Sequence, residues 1–191
     1  MSRAGYLMPN LRWGQRMGDG GVTDMMVGAL TDPFDSVHMG ITAENIAAKW
    51  GISREAQDAF AVESHKRAIN AIEKGYFKDQ ILPVEIKSKK GSTFFATDEH
   101  ARADASAEGM AKLRAVFQND GSVTAGNASG INDGAAAIVM MEKTAAEKRG
   151  LKPMARLISY GHAGVDPKYM GIGPVPAVQK ALAKVDLKVS D

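Results

Sequence analysis

The sequence has 191 residues, of which 45% are hydrophobic and 24% are charged, the composition of an ordinary globular protein. Its formal net charge of +2 is too small to indicate a nucleic-acid-binding surface, and no apolar run approaches the roughly 20 residues of a membrane span. The absence of cysteine excludes disulfides, metal–thiolate sites and a cysteine nucleophile within these residues.

The first thirty residues contain several glycines and three arginines, together with Trp13 and several methionines. Tryptophan and methionine without a clear period suit an irregular surface that packs against a partner. A segment folded back onto its own core explains the same composition equally well. Both interpretations stay open from the residues alone.

Two helices are expected next along the chain. Thr42 is a candidate N-cap with Glu44 in the first turn, and this short helix should end at Gly51. Ser53 is predicted to cap a longer helix that ends at Gly75. The apolar stripe of the longer helix is expected to consist of Phe60, Ala61, Ala68, Ile69 and Ile72.

A two-stranded element is predicted within residues 80–95, where Val84 and Ile86 alternate with charged residues and a lysine-rich turn precedes two phenylalanines. A short helix is expected at residues 108–113.

The C-terminal third alternates between apolar runs and helical patterns. Residues 135–141 and 155–160 are predicted to form buried strands. Thr144 and Glu147 form a candidate capping box for a helix between these two strands. Pro176 is well placed to open a last helix. This order predicts a layered α/β fold. Because two strands rarely bury both faces of a sheet, we expect this region to be part of a larger core.

No catalytic motif is present, so the residues indicate a ligand-binding site and not an active site. The loop at residues 123–130, VTAGNASG, combines small side chains with Ser129 and precedes a predicted strand, so it is either a tight turn or a ligand seat. His38, Met39 and Gly40 form a similar short stretch. Among the other histidines, His65 is expected to be solvated. A hydrolytic or metal site at residues 98–100 has little support, because adjacent residues do not share a helix face.

Several long stretches carry a resemblance to a known family. In chain order they are HMGITAENIA, REAQDAFAVESHKRA, GYFKDQILPV, KLRAVFQNDGSVTAGNASGINDGAA and GVDPKYMGIGPVPA. Together they resemble the thiolases, and they are most similar to the biosynthetic acetyl-CoA acetyltransferases and β-ketothiolases. The resemblance implies a partial layered α/β/α core with an inserted α/β loop domain.

The resemblance also implies a division of the chain. Residues 1–131 correspond to the loop domain, with a tetramerisation segment at residues 7–27 and the residues that bind coenzyme A. Residues 132–152 correspond to the end of the N-terminal core half, and residues 153–191 to the start of the C-terminal half.

Site residues follow from the same resemblance. Ser129 is expected to hydrogen-bond the pantetheine arm of coenzyme A, and Ala125, Gly126 and Gly130 to allow its close approach. His38 should help to hold the pantetheine and Met39 should line the acyl pocket. Arg102 is expected near the nucleotide end of coenzyme A. The apolar walls are expected to be Leu30, Met110 and Phe117. At position 109 relatives can carry serine. The glycine in this chain has no hydroxyl, so it would lack that one polar contact to the adenine end.

The expected activity is reversible condensation of two acetyl-CoA, or of acyl-CoA and acetyl-CoA, to 3-ketoacyl-CoA and CoA. The family's acyl-accepting cysteine normally lies upstream of residue 1, and its NEAF asparagine, GHP histidine and second cysteine beyond residue 191. Covalent catalysis needs its nucleophile, so the resemblance implies no catalytic residue in this chain and no activity of the chain alone.

Acyl-CoA is the expected partner, as a substrate and not as a bound cofactor, together with further copies of the chain in a tetramer. We expect neither metal, nucleic acid nor membrane, and, in the absence of a signal-peptide pattern, a cytoplasmic location. Two alternatives remain: a non-catalytic CoA-binding or oligomerisation fragment, and a degradative 3-ketoacyl-CoA thiolase.

Overall fold

A computed structural model describes all 191 residues. They form two compact units, one of residues 1–46 and 131–191 and the other of residues 47–130. The functional division at residues 131 and 152 stays a prediction. None of the six α-helices is both long enough and apolar enough to cross a bilayer.

The first unit begins with a small antiparallel pair. Strand β1 (Tyr6–Leu7) pairs with β2 (Thr23–Asp24), and helix α1 (Met25–Ala29) follows directly. The side chain of Asp24 accepts the Met26 amide at 2.8 Å and so caps α1. The residues between the two strands include one 3-10 turn (Leu11–Trp13).

Helix α2 (Met39–Trp50) begins three residues before the predicted N-cap, so Thr42 is not its cap. Thr42 lies inside the helix, buried, and its hydroxyl donates to the Met39 carbonyl at 2.7 Å. His38 takes the capping role, because its Nδ1 accepts the Gly40 amide at 3.0 Å. The predicted end is confirmed, since Gly51 has a φ of +65°.

The two predicted core strands are absent. Residues 135–141 and 155–160 join no sheet, and Ile138 and Val139 remain 83% and 88% exposed. A strand is stable only when a neighbour satisfies its backbone N–H and C=O groups, and these two segments find none within this chain. The prediction of buried strands is therefore wrong for residues 1–191 taken by themselves.

The last helices of the first unit form with shifted starts. Helix α5 (Lys143–Lys148) is capped by Glu142, whose carboxylate accepts the Ala145 amide at 3.1 Å and the Thr144 hydroxyl. The predicted capping box is thus wrong, since Thr144 lies inside the helix. A 3-10 segment (Pro167–Ile172) leads into α6 (Pro174–Ala183), which Pro174 opens instead of Pro176.

The second unit is built on helix α3 (Arg54–Glu73), with Ser53 as its N-cap and Gly75 after its end, as predicted. Its least exposed positions include the polar residues Arg54, Asp58 and His65. Phe60 is 79% exposed, so its place in the apolar stripe is wrong.

The predicted hairpin and short helix both form in this unit. Strands β3 (Val84–Ser88) and β4 (Gly91–Phe95) pair antiparallel across the lysine-rich turn. Helix α4 (Ala107–Ala111) is capped by Ser106, and it packs beside α3.

Candidate functional site

The loop at residues 123–130 is a compact turn organised by Thr124 and Asn127. Thr124 is fully buried, and its carbonyl accepts the Asn127 and Ala128 amides at 3.3 and 3.0 Å. The Asn127 side-chain oxygen accepts the Thr124 amide at 2.7 Å, and the Thr124 hydroxyl accepts the Gly126 amide at 3.2 Å. The turn is anchored below by the Val116 amide, which donates to the Val123 carbonyl at 3.0 Å. These bonds fix the backbone while the small side chains stay accessible.

A cavity of about 380 Å³ lies beside this turn, within the second unit. Four of the predicted site residues line it, namely Arg102, Met110, Ala125 and Gly126, and Gly109 lines it as well. Seven further residues that the sequence did not single out for binding also line it, namely His65, His100, Asp104, Ala105, Ser106, Leu113 and Ala128. The cavity therefore has apolar and polar walls in one place.

Gly126 provides the closest approach between the loop and helix α4. A β-carbon at residue 126 would lie 2.4 Å from Met110 Sδ and 2.5 Å from Leu113 Cδ1, well inside van der Waals contact. Only a residue without a side chain fits there while Met110 and Leu113 keep their positions. The predicted reason for glycine is the close approach of pantetheine, whereas the neighbours seen here are the chain's own Met110 and Leu113 side chains.

Arg102 lies at the polar end of the cavity in a two-pronged ion pair. Its Nε and Nη2 donate to the two carboxylate oxygens of Asp104 at 3.0 and 2.7 Å. These hydrogen bonds hold the pKa of Asp104 below its ordinary value and raise that of Arg102. A guanidinium has five N–H donors, so donors remain for an anionic ligand.

His65 and His100 frame the same end of the cavity. His65 Nδ1 accepts the Arg102 backbone amide at 3.2 Å, and the two imidazole rings lie 6.4 Å apart. His65 is thus half-buried and is held by α3 against the chain around Arg102, so it is less solvated than the sequence predicts. The charged residues next to His65 in the sequence suggest a solvent-exposed position. They give no sign of a contact with a residue 37 positions away.

Two other predicted residues of the second unit lie at the open side of the loop. Ser129 is exposed. Gly130 faces His100, since a β-carbon there would lie 2.4 Å from His100 Cε1. His100 thus belongs to the cavity wall. Phe117 is half-buried and does not line the cavity.

The remaining predicted residues form a second group, in the first unit. The Met39 amide donates to the Leu30 carbonyl at 2.8 Å, and the Asp32 amide donates to the Val37 carbonyl at 2.7 Å, so residues 30–39 close into a tight loop. Leu30, His38 and Met39 are all half-buried and come together at its neck. At the same neck, the Gly40 amide donates to His38 Nδ1.

Two family models match the chain in succession. The thiolase N-terminal domain matches residues 1–144 and the thiolase C-terminal domain matches residues 151–191. Among curated proteins, the chain is 64% identical to a β-ketothiolase of Cupriavidus necator and 55% identical to an acetyl-CoA acetyltransferase of Syntrophomonas wolfei. Each match covers 100% of this chain and 49% of the relative, so the chain spans about half the length of these relatives.

Solved structures agree with these matches. The chain is similar to the Bacillus anthracis acetyl-CoA acetyltransferase, with 49% identity and a TM-score of 0.87 over 97% of this chain and 47% of the other. It is similar to human mitochondrial 3-ketoacyl-CoA thiolase in complex with CoA, with 42% identity and a TM-score of 0.87 over 99% of this chain and 47% of the other. These likenesses confirm the predicted layered α/β fold class.

Proposed function

This chain belongs to the thiolase family, and we propose that it is the CoA-binding portion of an acyl-CoA C-acetyltransferase. The reaction is the reversible condensation of two acetyl-CoA, or of acyl-CoA and acetyl-CoA, to a 3-ketoacyl-CoA and CoA. The observation that carries this proposal is the cavity beside residues 123–130, where Arg102, Met110, Ala125 and Gly126 meet.

The walls of the cavity suit a ligand with an apolar arm and an anionic end. The Met110 and Leu113 side chains and the accessible turn offer a narrow apolar surface to pantetheine. At the other end, the Arg102 guanidinium suits phosphate, because its planar donors match phosphate oxygens. We assign the exposed Ser129 hydroxyl to the pantetheine amides and Gly130 to the edge of the same seat, next to His100. Phe117 is assigned to an apolar wall by the family resemblance alone.

The loop around Leu30, His38 and Met39 is assigned to the acyl end of the substrate. The His38 imidazole at the neck of this loop is assigned to the pantetheine, directly or through a bridging water. Leu30 and Met39 contribute apolar surface at the neck of the loop, which suits a short acyl group.

The proposal places the chemistry outside these residues. The chain contains no cysteine, so the acyl-accepting thiol has to come from another segment of the complete enzyme. Residues 1–191 alone are accordingly expected to be inactive, and their role is to hold and orient the coenzyme. We further propose a homotetramer formed through residues 7–27 and a cytoplasmic location.

A hybrid enzyme tests this function. In it, residues 1–191 replace the matching segment of the Cupriavidus necator β-ketothiolase, which supplies the rest of a complete chain. We expect CoA-dependent thiolysis of acetoacetyl-CoA at a rate within about tenfold of the parent enzyme. A hybrid that folds and assembles like the parent but neither binds CoA nor cleaves acetoacetyl-CoA would contradict the proposal and favour a non-catalytic fragment.

A degradative 3-ketoacyl-CoA thiolase is the second candidate. It is favoured by the likeness to human mitochondrial 3-ketoacyl-CoA thiolase, at 44% identity and a TM-score of 0.89. A series of 3-ketoacyl-CoA substrates of increasing chain length separates the two. A preference for four- and five-carbon substrates supports the biosynthetic type, and a preference for long chains supports the degradative type.

A further inference from the structure

Asp58 is a buried carboxylate beneath the cavity, only 5% exposed. Its Oδ2 accepts Arg54 Nε at 2.7 Å, one helical turn earlier on α3. Its Oδ1 accepts the Asn127 side-chain amide at 2.9 Å, across 69 residues of sequence. One carboxylate therefore links an arginine on α3 to the turn at residues 123–130.

Arg54 extends this link to the other wall of the cavity. Its Nη2 donates to the Met110 carbonyl at 2.6 Å and to the Leu113 carbonyl at 3.0 Å. Met110 belongs to α4 and Leu113 lies two residues after its end, and the Met110 carbonyl also accepts the Leu113 amide at 3.0 Å. Arg54 thus fixes the backbone that carries the Met110 and Leu113 side chains.

Asn127 completes the link inside the turn. Its Nδ2 donates both to Asp58 and to the Ser122 carbonyl at 2.9 Å, while its Oδ1 accepts the Thr124 amide at 2.7 Å. A carboxamide offers an acceptor and two donors in one side chain, and all three directions are used here. Neither aspartate nor serine could reproduce this set.

We propose that Arg54, Asp58 and Asn127 form a positioning network that sets the spacing between the two walls of the coenzyme cavity. One wall is Met110 on α4 together with Leu113, two residues after the helix, and the other is the turn that leads to Ser129. The inference rests on the proposed function of the cavity. The three residues act through the walls, so they are positioning residues and not catalytic ones.

The first test uses the 191-residue chain and does not depend on activity. In Asp58→Asn, an amide replaces the carboxylate. Its NH2 group cannot accept a hydrogen bond, so either the Arg54 or the Asn127 donor loses its acceptor. Hydrogen exchange of the Thr124, Gly126 and Ala128 amides should become about tenfold faster, because these donors bond within the turn. Glu63→Gln is the matched control, since it removes the carboxylate of an exposed ion pair on the same helix. It should leave these amides unchanged.

Asn127→Ala serves as the second variant, because loss of a buried charge partner can unfold a domain. It leaves the Arg54–Asp58 ion pair intact. The turn amides should again exchange faster while those in the second half of α3 keep their protection. If α3 and the turn lose protection to the same extent in both variants, or if the turn amides do not change, the positioning role is overturned.

The kinetic test uses the hybrid enzyme. Asn127→Ala should raise KM for CoA about tenfold and change kcat less than about twofold, since displaced walls weaken binding before the chemical step. A loss confined to kcat would overturn the inference. If the unmodified hybrid binds no CoA, the proposed function fails, and the exchange experiment still decides the network.

Discussion

Gly126 faces Met110 so closely that a β-carbon on residue 126 would lie 2.4 Å from the methionine sulfur. The atoms it would meet, Met110 Sδ and Leu113 Cδ1, are the ends of flexible side chains. A methyl group at this position is therefore expected to displace the Met110 and Leu113 side chains in the cavity wall while the backbone stays in place. This separates the effect on binding from the effect on folding.

Gly126→Ala should raise KM for CoA in the hybrid enzyme about tenfold, because the displaced side chains narrow the cavity. Stability should change by less than about 1 kcal/mol, as the cost of extra volume is offset by the reduced entropy of the unfolded chain. Steady-state kinetics and urea unfolding measure the two effects.

Gly28→Ala is the matched control, since its new methyl would meet only Thr23 Cγ2, at 3.5 Å. It should leave KM unchanged. A Gly126→Ala variant with an unaltered KM would show that this approach of loop and helix does not bound the coenzyme site.

Arg102→Ala should raise KM for CoA about fivefold, equivalent to about 1 kcal/mol, because one exposed charge-assisted contact to phosphate is lost. The dependence of KM on salt concentration should also weaken, since fewer ionic contacts remain to be screened.

The control for this substitution is Arg67→Ala, which removes another exposed arginine from an ion pair outside the cavity. Equal effects of the two substitutions on KM would indicate general electrostatic attraction instead of a specific contact at Arg102.

Trp13 tests the proposed tetramerisation segment. Its side chain is 92% exposed and that of Met17 is fully exposed, so both are accessible to a partner chain. Trp13→Ser in the hybrid enzyme should shift tetramers toward smaller species, because a central tryptophan often contributes about 2 kcal/mol or more to an interface.

Light scattering at several protein concentrations measures this shift. Phe60→Ser is the control, as Phe60 is similarly exposed but lies on α3, outside residues 7–27. If Trp13→Ser remains as tetrameric as the control variant, the segment does not hold the tetramer together.

Local signals in the sequence located most helices and the hairpin. Ser53 and Gly75 bound α3 as expected, because side-chain capping and a positive φ are properties of single residues. The predicted strands at residues 135–141 and 155–160 could not be judged in this way. Their apolar pattern indicates burial in a sheet, but strand formation depends on neighbours that this chain does not provide.

The candidate site was predictable where it depends on small residues and hidden where it depends on distant contacts. The loop at residues 123–130 stood out for its small side chains, and the role of Gly126 came from the family resemblance. Asp58 and His65 did not, since a charged residue on a mostly polar helix ordinarily faces solvent. Only the fold shows that their partners are Asn127 and the Arg102 backbone.

We propose that the turn at residues 123–130 seats coenzyme A, and the Ser129→Ala variant of the hybrid enzyme tests this role most directly. Ser129 is exposed, so its loss should change stability by less than about 0.5 kcal/mol. Calorimetric titration with CoA should give a Kd about five- to tenfold higher than that of the unmodified hybrid, as expected for one lost hydrogen bond. An unchanged Kd, with CoA binding retained, would contradict the claim.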